Sequence, residues 1–74
     1  MEPLERLHKL TDREMQIMTL HGRGVSLHEI AKKLGISPKT VAAHRQHILM
    51  KLRIKGTDYR KLAFKLAAGL IPRA

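Results

Sequence analysis

Apolar residues recur along this chain at spacings of three and four, and no segment alternates with the period of a strand. The pattern therefore predicts an all-α domain of four helices. Residues 1–9 carry little pattern beyond Leu4 and Leu7 and are expected to be a flexible lead-in, with the domain proper over residues 10–74. Thr11 and Glu14 form a capping-box pair, and Leu10 and Met15 stand at hydrophobic-staple spacing. The first helix is predicted over about residues 12–21, with Ile17, Met18 and Leu20 inward. Gly22-Arg23-Gly24 ends it, since glycine takes the left-handed backbone of a tight exit. A second capping box, Ser26 with Glu29, opens a helix whose apolar positions are 27, 30, 31 and 34. Gly35 stops that helix, and Ile36 folds back onto it.

Ser37 and Pro38 are the cap and first residue of a third helix. Its inward stripe is Val41, Ile48 and Leu52, with His44 on the same side. At 3.6 residues per turn the opposite face carries Lys39, Ala42, Ala43, Gln46 and Met50. That face holds no acid and little that suits a core. A basic loop around Gly56 then leads to a fourth helix over about residues 58–68, capped by Asp58 and stopped by Gly69. Its stripe is Tyr59, Leu62, Ala63, Leu66 and Ala67, and Phe64 and Ala68 fall off it. Residues 26–52 thus read as two short helices joined by a tight turn, the second with small and polar residues outward. A helix-turn-helix that inserts a helix into the DNA major groove is built this way.

Charge sharpens this picture. Of a net +9, residues 1–29 contribute five acids and four bases, whereas residues 30–74 contribute eleven bases and the single acid Asp58. A basic half of this kind is either a solvated face or a polyanion footprint, with nucleic acid ahead of acidic membrane. Only Tyr59 and Phe64 are aromatic, which argues against modules that stack single-stranded bases. With 74 residues and no cysteine, the small core has neither disulfides nor thiolate metal sites to support it, and oligomerisation is the remaining usual support. The chain has no membrane-length apolar run and no signal-peptide pattern, so a soluble, intracellular protein is expected, and a nucleic-acid role would make it cytoplasmic and nucleoid-associated.

Several separated motifs carry a resemblance. L-T-x-R-E at 10–14, G-x-S-x-x-E-I-A-x-x-L-G-I-S at 24–37, T-V-x-x-H at 40–44 and I-x-x-K-L at 48–52 occur in order. Together they closely resemble the LuxR/GerE-type helix-turn-helix domain over about residues 10–70. The resemblance implies a four-helix DNA-binding module of bacterial transcription regulators, either stand-alone and GerE-like or the C-terminal output domain of a longer regulator. It implies that helix three recognises DNA and helix four mediates dimers. Positions matching Ala42, Ala43 and Gln46 would reach base edges, and those matching Lys39, Thr40, Arg45 and Lys51 would contact phosphate. Two departures stand out. Many relatives carry Lys or Arg where this chain has Ala42, and the loop from Lys55 to Asp58 is about one residue longer than the common form.

The chemistry of these residues fits that expectation. The Gln46 amide can pair bidentately with adenine, worth about 1–3 kcal/mol of discrimination, and Ala42 and Ala43 can meet thymine methyls. Their bland alternative is a surface of helix-favouring residues. Lys39, Arg45 and Lys51 would add affinity and salt dependence without sequence information. Phe64 and Ala68 are the candidate homodimer seam, which predicts an inverted-repeat operator. His44 and His47 have no carboxylate beside them on their own helix, so no metal or other cofactor is expected. With no cysteine and no glycine-flanked serine, no enzyme is expected either. The expected partner is double-stranded DNA, bound by a homodimer in contact with RNA polymerase. The alternatives are a protein-interaction module that kept the fold, binding a regulator or polymerase subunit, and a sigma-type promoter-binding segment.

Overall fold

A computed structural model describes residues 3–71, with side chains from Arg6 onward. The packing of Leu4 and the last three residues of the expected domain lie outside that description. A 3-10 helix, Pro3–Lys9, precedes four α-helices: α1 (Asp12–Gly22), α2 (Leu27–Leu34), α3 (Pro38–Leu52) and α4 (Gly56–Ala67). No strand occurs among the described residues.

The helix starts follow from side-chain oxygens that satisfy otherwise unpaired backbone N–H groups. At α1 the capping box is complete. The Glu14 N–H donates to Thr11 Oγ1 at 3.1 Å, and the Thr11 N–H donates to Glu14 Oε1 at 2.9 Å. Ser26 accepts from the Glu29 N–H at 3.2 Å, and Ser37 from the Thr40 N–H at 3.1 Å. Each such cap is worth about 1 kcal/mol. Gly35 adopts φ +69°, which closes α2 and lets the Ile36 N–H reach the Ala31 carbonyl at 3.0 Å. Ile36 then packs back on the helix pair, as its position after the glycine predicts.

Two apolar clusters hold the helices together. The smaller joins Ile17 of α1, Ile30 and Ala31 of α2 and Val41 of α3. It sets α2 against the first half of α3. The larger joins Leu7, Met18, Ile48, Leu52, Tyr59, Leu62, Ala63 and Leu66. It packs α4 and α1 on the second half of α3. Each fully buried aliphatic side chain contributes about 1.5–3 kcal/mol. Helix α3 is therefore gripped along one side by both clusters, through Val41, Ile48 and Leu52.

Four local expectations are corrected. Over its described residues the lead-in is not loose: the 3-10 turn Pro3–Lys9 carries Leu7 into the larger cluster at 2% exposure. Helix α4 begins at Gly56 rather than Asp58, and Lys55 is its cap position without a side-chain bond. Asp58 instead sits in the first turn, where a negative charge faces the positive end of the helix dipole. Gly22 is still helical, and its lack of a side chain serves a close approach. A Cβ there would overlap the Ala63 carbonyl of α4. Leu20 is only half-buried, whereas Glu14 and Thr19 of α1 are buried. Thr19 offsets that burial by donating its hydroxyl to the Met15 carbonyl at 2.8 Å.

A candidate nucleic-acid interface

Because both clusters lie on one side of α3, its other side is left to solvent. Lys39, Thr40, Ala42, Ala43, Gln46 and Met50 are all exposed. Lys39, Ala42, Ala43 and Gln46 share the outward face that the helical period predicts. Thr40 lies toward one edge, its hydroxyl 2.8 Å from that of Ser37, so the pair closes the first turn. His47 is exposed on the same side and was not among the expected contacts. Its 3.6-period position places it next to Ala43 and Thr40.

Arg45 and Lys51 are different. They stand on opposite flanks of the buried stripe, and each is engaged within the fold. The Arg45 guanidinium carbon lies 5.0 Å from the centre of the Tyr59 ring, a cation–π contact from α3 to α4. Gly56 leaves room for that arginine, since a Cβ there would come within 3.1 Å of its Nη2. The Tyr59 hydroxyl is 2.6 Å from His21 Nδ1, and the two rings meet edge to face at 5.6 Å. On the other flank, Lys51 Nζ donates to Glu14 Oε1 at 2.7 Å. Sequence reading had no access to these partners: Glu14 lies 37 positions from Lys51, and Tyr59 lies 38 from His21.

The electrostatics follow from burial and these pairs. Burial alone would raise the Glu14 pKa, but the Lys51 hydrogen bond, the Thr11 bonds and the Lys51 charge outweigh it, so the carboxyl is held below its ordinary value. Burial lowers the pKa of His21, and the Arg45 charge lowers it further, favouring the neutral ring. Burial raises the Tyr59 pKa, which Arg45 only partly offsets, so the phenol stays protonated. Arg45, Arg60, His21 and Tyr59 together line a cleft of about 520 Å³ that reaches the start of α2 at Ser26 and Leu27. Two guanidinium groups beside a helix N-terminus are suited to an anion such as a backbone phosphate.

Toward the end of α4, Phe64 is 59% exposed, and Ala68, the residue that follows the helix, is also exposed, with Leu70 nearby in sequence at 67%. Among the described residues no helix is long and apolar enough to cross a membrane.

A compact helical unit whose second helix-turn-helix element is bared on one face defines the class of DNA-binding helix-turn-helix domains. Residues 8–58 match the family described as bacterial regulatory proteins, luxR family, and the chain belongs to that family of DNA-binding transcription regulators. It is 52% identical over 54 residues to the transcriptional regulatory protein TdiR of Thauera aromatica, covering 73% of this chain and 24% of that protein. It is 48% identical over 46 residues to the oxygen regulatory protein NreC of Staphylococcus carnosus, covering 62% of this chain and 21% of that protein. The chain thus spans about a quarter of the length of these curated relatives. No solved structure matches it.

Proposed function

We propose that this domain binds double-stranded DNA sequence-specifically, with α3 in the major groove, as a homodimer on an inverted repeat. The observation that carries the reading is the bare, acid-free outward face of α3, backed by two clusters that fix its orientation. Gln46 reads a base edge, and Ala42 and Ala43 let the helix approach closely enough for it to do so. Lys39 and Thr40 meet the phosphate backbone beside the first turn of α3. Arg45 and Lys51 meet it at the flanks, where their internal partners also fix their directions. Phe64 and Ala68 form the two-fold seam on α4. The regulator acts on transcription in the cytoplasm, through contact with RNA polymerase.

Selection of duplexes from a random pool by this protein, followed by sequencing, tests the reading. An inverted repeat is expected. A single half-site keeps the DNA role and removes the dimer. No enrichment at all defeats the reading and leaves a protein-interaction module in its place. With the operator known, Gln46→Ala is expected to relax preference at one base position while keeping the salt dependence of affinity.

A further inference from the structure

The fold assembles a potential ligand set that no single helix carries. Glu14 arrives from α1 beside His44 and His47 on α3, and one donor atom from each lies within 4.8 Å of the other two. We propose that these three residues bind a divalent first-row transition ion of the zinc type, in a two-histidine, one-carboxylate site with an open fourth position.

Three observations carry this. First, His44 Nδ1 is buried and has no hydrogen-bond partner. A buried imidazole nitrogen is ordinarily satisfied, so His44 keeps an unspent nitrogen in a ring that already stands beside Glu14 and His47. Second, both bonds to the Glu14 carboxylate, from Lys51 Nζ and the Thr11 N–H, end on Oε1. Oε2 is left as a donor among the described residues. Third, His47 is exposed and free to turn its ring, so the set closes without disturbing the core. Zinc–nitrogen and zinc–oxygen bonds of about 2.0–2.2 Å place tetrahedral ligands about 3.3 Å apart. The separations must therefore shrink by up to about 1.5 Å, within reach of side-chain torsions. Imidazole and carboxylate together suit zinc, nickel and copper rather than magnesium or calcium.

Lys51 is the competitor. Its ammonium neutralises Glu14, but the side chain is 35% exposed and can swing outward on its flexible stem. A bound dication takes over the neutralising role and releases that ammonium to the edge of the outward face. The ion would thereby cross-link α1 to α3 and add positive charge where α3 meets the DNA backbone.

The test is calorimetric titration of Zn²⁺ into the metal-stripped full chain, with the wild type, H47A, E14Q and the exposed H28A side by side. The expected result is one saturable Zn²⁺ per chain, weakened about tenfold or more in H47A and E14Q and unchanged in H28A. His47 is exposed, so H47A reads ligation without the cost of unfolding. The imidazole ¹⁵N signals of His44 and His47 should both move on Zn²⁺ addition. The proposal is overturned if no saturable binding occurs, if H47A binds as tightly as the wild type, or if the signals that move belong to other histidines.

Discussion

On the inner side of α3, Val41, Ile48 and Leu52 are withdrawn from water, and the flanking Arg45 and Lys51 are tied to Tyr59 of α4 and Glu14 of α1. On the outer side, Lys39, Ala42, Ala43 and Gln46 are exposed, and their side chains enter no hydrogen bond or ion pair with another described residue. The same helix is thus over-determined on one side and undetermined on the other. The difference teaches that the rigid side sets direction, while the free side can change its side-chain chemistry at little cost to folding.

The sharpest way to break this contrast is to truncate one residue from each side. Ile48→Ala removes a fully buried side chain and is expected to cost about 2–5 kcal/mol of stability. Gln46→Ala should stay within about 0.5 kcal/mol of the parent. Urea denaturation of both variants checks this, and equal losses would dissolve the distinction.

The flank gives a smaller, more discriminating effect. Lys51→Ala leaves the buried Glu14 carboxylate without its ammonium and is expected to cost about 1–3 kcal/mol. Lys39→Ala, with no internal partner, should cost less than about 0.5 kcal/mol. Both should weaken duplex binding, but only the first should also lower the unfolding midpoint. A Lys51→Ala variant as stable as the parent would show that its ion pair contributes nothing.

The weakest effect is a dependence on pH. The folded state holds the pKa of His21 below its ordinary 6.5, so between the folded and ordinary values the unfolded chain binds more protons. Stability from this residue is therefore present above about pH 6.5 and is lost as pH falls through the folded pKa. Glu14, also depressed, adds a second loss below its ordinary 4.5. Melting curves across this range should show the upper loss removed in His21→Gln and the lower one retained.

Much of this was legible from the sequence because it is local. The caps Thr11, Ser26 and Ser37 act over three residues, and the stripe of Val41, Ile48 and Leu52 is a matter of helical period. The outward face could be read for the same reason, since exposure is what remains when the stripe is assigned. Burial of Leu7 could not be read, because nothing in nine weakly patterned residues says that a 3-10 turn will close the larger cluster. The α4 start was misplaced because Asp58 looks like a cap. The turn after α3 is completed earlier, by Arg53 in the left-handed region at φ 55°. The Arg45–Tyr59 and Lys51–Glu14 contacts, and the approach of Glu14 to the two histidines, join helices distant in sequence. Whether Arg45 and Lys51 face the solvent freely or through internal partners is a property of the assembled fold alone.

The close crossing of α1 and α4 bears on how this domain can be engineered. Replacing a helical glycine with alanine is a common route to a more heat-resistant protein, because it restricts the unfolded chain. At Gly22 the added methyl would run into the Ala63 carbonyl, so the substitution should lower the melting temperature. A thermostabilised version of this domain has to leave that position empty and seek its gains elsewhere.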